Sequence, residues 1–126
     1  MTLTDKQILE GNELIAEFMN MKTGMIYQLM NSNLNLTILD RTRTFCYSHE
    51  LIFHKDWNWL MTVKNKLETM DYMFEIHSNK FIVWKLNFSK PNNKDIILNL
   101  SFDMVSNQID FVWYGIVRIL EDENLV

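Results

Sequence analysis

At 126 residues, 48% hydrophobic and 22% charged, the chain has the size and composition of one folded domain, and its eight Phe, four Trp and four Tyr argue against native disorder. A formal charge of −4 argues against nucleic acid as the main ligand, because such ligands draw their affinity from Lys and Arg on phosphates. A lone cysteine, Cys46, a polar start from Met1 to Lys6 and no apolar run near the roughly 18–20 residues of a bilayer span lead us to expect a cytoplasmic protein with no membrane partner.

Thr4 followed three residues later by Gln7 is a capping box and predicts the start of a first helix. Ile8, Gly11, Ile15, Phe18 and Met19 then fall on one side at helical spacing. Glycine inside a helix costs about 1 kcal/mol relative to alanine, so Gly11 on the apolar side predicts close packing against a neighbour. The helix should end between residues 20 and 23, before Gly24.

Residues 25–55 have no clear period. Met25 to Leu29 reads as a short strand, Asn31-Ser32-Asn33 as a turn, and Leu34, Leu36 and Ile38 as one side of a half-buried strand. Thr42 to Tyr47 and Leu51 to Phe53 have β-type composition only, and the whole region reads as an irregular excursion or a lid. Asp56 is a good N-cap for a second helix through Met70, with Leu60, Val63, Leu67 and Met70 as its apolar stripe. Trp57 and Trp59 share its first turn. Two apart on a helix, they point about 200° from each other, so both cannot enter one core.

Tyr72 to His77 and Lys80 to Phe88 read as two strands joined by Ser78-Asn79, with Asn79 supplying the positive φ of a tight hairpin. Ile82, Trp84, Leu86 and Phe88 alternate with Val83, Lys85 and Asn87, which places Trp84 in the core. A third strand follows over Asp95 to Phe102, with Ile96, Leu98, Leu100 and Phe102 facing one way. A last helix starts near Ser106 or Asn107 and carries Ile109, Val112, Trp113, Ile116, Val117 and Leu120 on one side. Its acidic end, Glu121-Asp122-Glu123, opposes the helix dipole and is expected to fray. The pattern predicts a single α+β domain over 1–126. Its architecture is a two-layer sandwich: an antiparallel sheet of three or four strands with three helices.

Signatures of chemistry are weak. Cys46, His49, His54 and Asp56 make a zinc set only on paper, and the bland reading is a polar loop feeding a helix cap. Cys46 with a histidine is one nucleophile–base pairing, against the commoner role of a small buried hydrophobe. Gly11, Gly24 and Gly115 are isolated, so no phosphate-binding loop is present. We expect no cofactor, no metal and no catalysis.

The segment Phe53-His54-Lys55-Asp56-Trp57-Asn58-Trp59-Leu60-Met61 is the most distinctive run. It resembles an aromatic-His-x-x-Trp-x-Trp-Leu-Met motif of small uncharacterised phage and prophage proteins of Bacteroidetes-type bacteria, with Thr62 where those proteins often have Pro. The likeness runs loosely over the last 75 residues or so. That resemblance implies a phage accessory context, hence the host cytoplasm, and no particular chemistry. The expected function is non-catalytic binding of a host or defence protein, with Trp57, Trp59, His54 and Asp56 as the binding residues. The alternative is a small-molecule binder or unusual hydrolase with a pocket formed by residues 25–55. A homodimer through an apolar sheet edge is the third option.

Overall fold

Caps and turns set where each element begins and ends. The computed structural model describes residues 2–23, 45–46, 51–87, 89, 94–102 and 107–126, with backbone alone at 22–23 and 45–46. Helix α1 (Asp5–Phe18) opens on the expected box: Thr4 Oγ1 accepts the Gln7 N–H at 3.1 Å and Gln7 Oε1 accepts the Thr4 N–H at 2.9 Å. It ends before residue 20 because Asn20 takes a φ of 60° and Met21 N–H returns to the Ala16 carbonyl at 2.8 Å. Two short segments, β1 (Lys22–Thr23) and β2 (Phe45–Cys46), pair in parallel. The strands expected over 25–29 and 34–38 and the turn over 31–33 lie outside the described residues.

Leu51 to Phe53 does not form a strand. Leu51 and Phe53 are buried, and the N–H groups of Lys55 and Asp56 both bond to the Ile52 carbonyl, at 3.1 and 3.0 Å. The backbone finds its partners in a turn, so β-type composition here serves burial alone. Helix α2 (Trp57–Glu68) follows, capped by Asp56, whose carboxylate accepts the N–H groups of Asn58 and Trp59 at 2.9 and 3.2 Å. Leu60, Val63 and Leu67 are buried as expected. Met70 lies past the helix end and is exposed, and Asp71, at a φ of 72°, turns the chain into the sheet.

Strands β3 (Tyr72–Ile76), β4 (Lys80–Leu86) and β5 (Lys94–Ser101) form an antiparallel meander in that order. Two expectations fail here. Asn79 does not adopt a positive φ. The His77 carbonyl accepts Gln108 Nε2 at 2.6 Å and the Asn79 carbonyl accepts the Phe102 N–H at 2.8 Å, so tertiary bonds hold the turn. Strand β4 is also turned over: Phe81 and Val83 face the core, whereas Trp84 is only partly buried and belongs to the opposite face, where Ile82 is buried at 7% exposure. In β5 a bulge opposes Val83 to Leu98 and Trp84 to Ile96, leaving Ile97 over. Alternation is broken there, so Leu98 is buried while Ile96 is 60% exposed.

Helix α3 (Gln108–Asp122) is capped by Asn107, and Ile109, Val112, Trp113, Ile116, Ile119 and Leu120 are buried. Its acidic end is closed rather than frayed. Asn124 takes a φ of 54°, Leu125 N–H returns to the Leu120 carbonyl at 3.0 Å and Tyr72 Oη donates to Glu123 at 3.0 Å. These bonds and the packing of Leu125 on the core outweigh an unfavourable dipole contribution of under about 1 kcal/mol.

The result is an α+β arrangement in which α2 and α3 cover one sheet face and α1 packs on α3. Glycine sets two of these contacts. A Cβ at position 11 would stand 2.3 Å from Trp113 Cζ2, and one at position 115 would stand 2.5 Å from Phe81 Cε2. Alanine gains about 1 kcal/mol in helix propensity, but overpacking a close contact costs about 1–3 kcal/mol. Gly11→Ala and Gly115→Ala should each lower the urea midpoint, where a surface Gly→Ala in a helix would raise it.

Candidate functional site

The junction between Leu51 and Trp59 is built around a buried asparagine that the apolar stripe of α1 conceals. Asn12 is 1% exposed, the one buried polar side chain among the described residues. Its Oδ1 accepts Trp113 Nε1–H at 2.9 Å. Its Nδ2 donates to the Leu51 carbonyl at 3.1 Å and lies 2.9 Å from His54 Nδ1. Indole is a donor only, so Asn12 must present its oxygen to Trp113 and its amide hydrogens to the other two. His54 Nδ1 is therefore an acceptor, and the neutral ring carries its proton on Nε2. Burial holds the His54 pKa below its ordinary value, Lys55 lowers it further, and Asp110 opposes both.

The expected binding residues divide by what they touch. Asp56 is the cap of α2, and Trp59 is 2% exposed in the core, edge-on to Phe53 at 5.2 Å between ring centres. His54 is tied to Asn12. Trp57 alone presents its ring to solvent, 38% exposed, on a turn fixed by the Asp56 cap and anchored by its neighbour Trp59. His54 and Lys55 also line an open cleft of about 330 Å³, with Asp5, Ile8, Leu9 and Ile52. His49 and the Cys46 side chain, and with them the zinc set and the nucleophile pairing, lie outside the described residues. Among the described residues no group of three or more His, Cys, Asp or Glu could hold a metal, and no helix is long and apolar enough to cross a membrane.

Asn12 escaped the sequence reading although a signal existed. It lies four residues after Ile8 and three before Ile15, on the stripe itself, and an amide there needs buried partners.

Protonating His54 would set an N–H against the Asn12 amide and place a charge in a partly buried site. The fold therefore favours the neutral ring, and that contribution is complete above the ordinary pKa near 6.5 and lost as pH falls through the lower folded value. Between about pH 7.5 and 5.5 the unfolding free energy of the wild type should fall, and His54→Gln should fall less over the same range. Nitrogen-resolved NMR at the upper pH should show the Nε2–H tautomer; an Nδ1–H tautomer would contradict the network.

No protein-family model, no curated protein and no solved structure matches this chain. What the site does must be read from its own geometry.

Proposed function

We propose that this chain is a non-catalytic protein-binding module of the phage accessory kind, acting on a host or defence component, with Trp57 as its anchor. The observation that carries this reading is the division between the two tryptophans of α2. Trp59 is locked in the core and Trp57 stands 38% exposed on the same capped turn. An exposed tryptophan on a capped helical turn is the kind of group that dominates binding energy at protein interfaces, because its large surface is buried at little cost in side-chain freedom. The resemblance of the Phe53 to Met61 run to small phage proteins supplies the biological context.

The small-molecule alternative draws on the cleft beside His54 and Lys55. There the His54 Nδ1 is already engaged by Asn12, which leaves one ring nitrogen to act on a ligand.

Trp57→Ala should change the unfolding free energy by no more than about 0.5 kcal/mol, whereas Trp59→Ala should cost about 3–5 kcal/mol. With the fold intact, Trp57→Ala should lose a protein that the wild type retains specifically from lysates of Bacteroidetes-type bacteria. Equal retention by both forms, or none by either, would refute the reading.

A further inference from the structure

The face of the sheet turned away from the helices carries an apolar row that no described element covers. Ile96 is 60% exposed, Met73 is 41% exposed, and both stand directly opposite Trp84 in the pairing register. Lys94 lies over the Trp84 ring, 4.5 Å from its centre. The charges at the margins of this row are placed with a symmetry of their own. Two residues from Trp84 toward one end of β4, Ile82 partners Glu75 on β3. Two residues toward the other end, Leu86 partners Lys94 on β5. Glu75 and Lys94 therefore occupy opposite corners of the face, at matching distances from Trp84. His77, which pairs with Glu75 at 3.1 Å, and the exposed Lys80 lie one row further out.

We propose that this face is a two-fold interface between two copies of the chain, centred on Trp84, with Lys94 of each copy set against Glu75 of the other. A two-fold axis lying in the face and perpendicular to the Glu75–Lys94 diagonal lays each corner over the opposite corner of the second copy. Acid then meets base twice, and the two rows of Met73, Trp84 and Ile96 cross one another at Trp84. An isologous contact needs this self-complementarity, and like charges at the two corners would forbid it. The patch between the outer strands is only about 10 Å by 14 Å before side chains are added, which is below the size of a tight interface. Association should accordingly be weak, with a dissociation constant on the order of tens of micromolar.

The interface is independent of Trp57, because α2 lies on the covered face of the sheet. Sedimentation velocity on the full chain, from about 1 to 500 µM, tests it. The wild type and Trp57→Ala should both shift from monomer to dimer, while Ile96→Glu and Met73→Glu should remain monomeric with unchanged melting temperatures. Lys94→Glu and Glu75→Lys should each weaken the dimer about tenfold or more, and combining them should restore it to within about threefold of the wild type. A wild type that stays monomeric throughout, a dimer untouched by Ile96→Glu, or a double reversal no tighter than the single changes would overturn the proposal. Each outcome leaves the Trp57 reading to its own test.

Discussion

The hydrogen bond between Asn12 and Trp113 is the constraint from which the helical layer follows. The carboxamide is buried, and leaving one of its groups unpaired would cost about 1–3 kcal/mol, a sizeable part of a small domain's stability. Three partners satisfy it: the indole of α3, the backbone at Leu51 and the ring of His54. Trp113 reaches it only because position 11 has no side chain. The distance between α1 and α3 is thus fixed by a glycine and the orientation of the indole by the residue after it. The same amide then fixes the chain entering α2, which is why a polar group in α1 bears on how Trp57 is presented.

The sheet obeys a different constraint. Its core face is filled by Tyr72, Phe81, Val83 and Leu98 against α2 and α3, and that filling decides the phase of every strand. The bulge opposite Val83 and Trp84 lets β5 place Leu98 inward while Ile96 turns outward. A strand that alternated without interruption would put both on one side. The consequence is that the outer face inherits a tryptophan, an isoleucine and a methionine in register, where an ordinary two-layer sheet would present polar groups to water.

What the sequence made legible was local. Thr4, Asp56 and Asn107 announce the helices, and the 3.6-residue stripe of α3 contains most of its buried residues, because caps and periodicity act within one turn. The incompatibility of Trp57 and Trp59 followed from helical geometry alone, and so did the close approach at Gly11. The face of the sheet did not. Ile82, Trp84 and Leu86 alternate as cleanly as Phe81 and Val83, both sets are apolar, and only the packed helices choose between them. A bulge leaves no mark in composition. Asn79 looked like a left-handed turn residue, but Gln108 and the N–H of Phe102, remote in sequence, hold that loop. The closed acidic end of α3 has a related cause, since Tyr72 meets Glu123 only after the chain has folded.

The two proposed contact surfaces, read from the described residues, differ in kind. Trp57 is an exposed ring on the first turn of α2, and in the proposed function it would be the single anchor entering a pocket on another protein. The row of Met73, Trp84 and Ile96 has opposite charges at two corners of its face, as the proposed contact with a second copy requires. They lie on opposite sides of the sheet, so occupation of one does not obstruct the other. A dimer through the sheet would carry two copies of Trp57, both outside the interface. Linking two sites raises apparent affinity for a multivalent target by effective concentration alone, without any new contact. A domain too small to build an extensive interface on one face could thereby obtain tight binding from two modest ones.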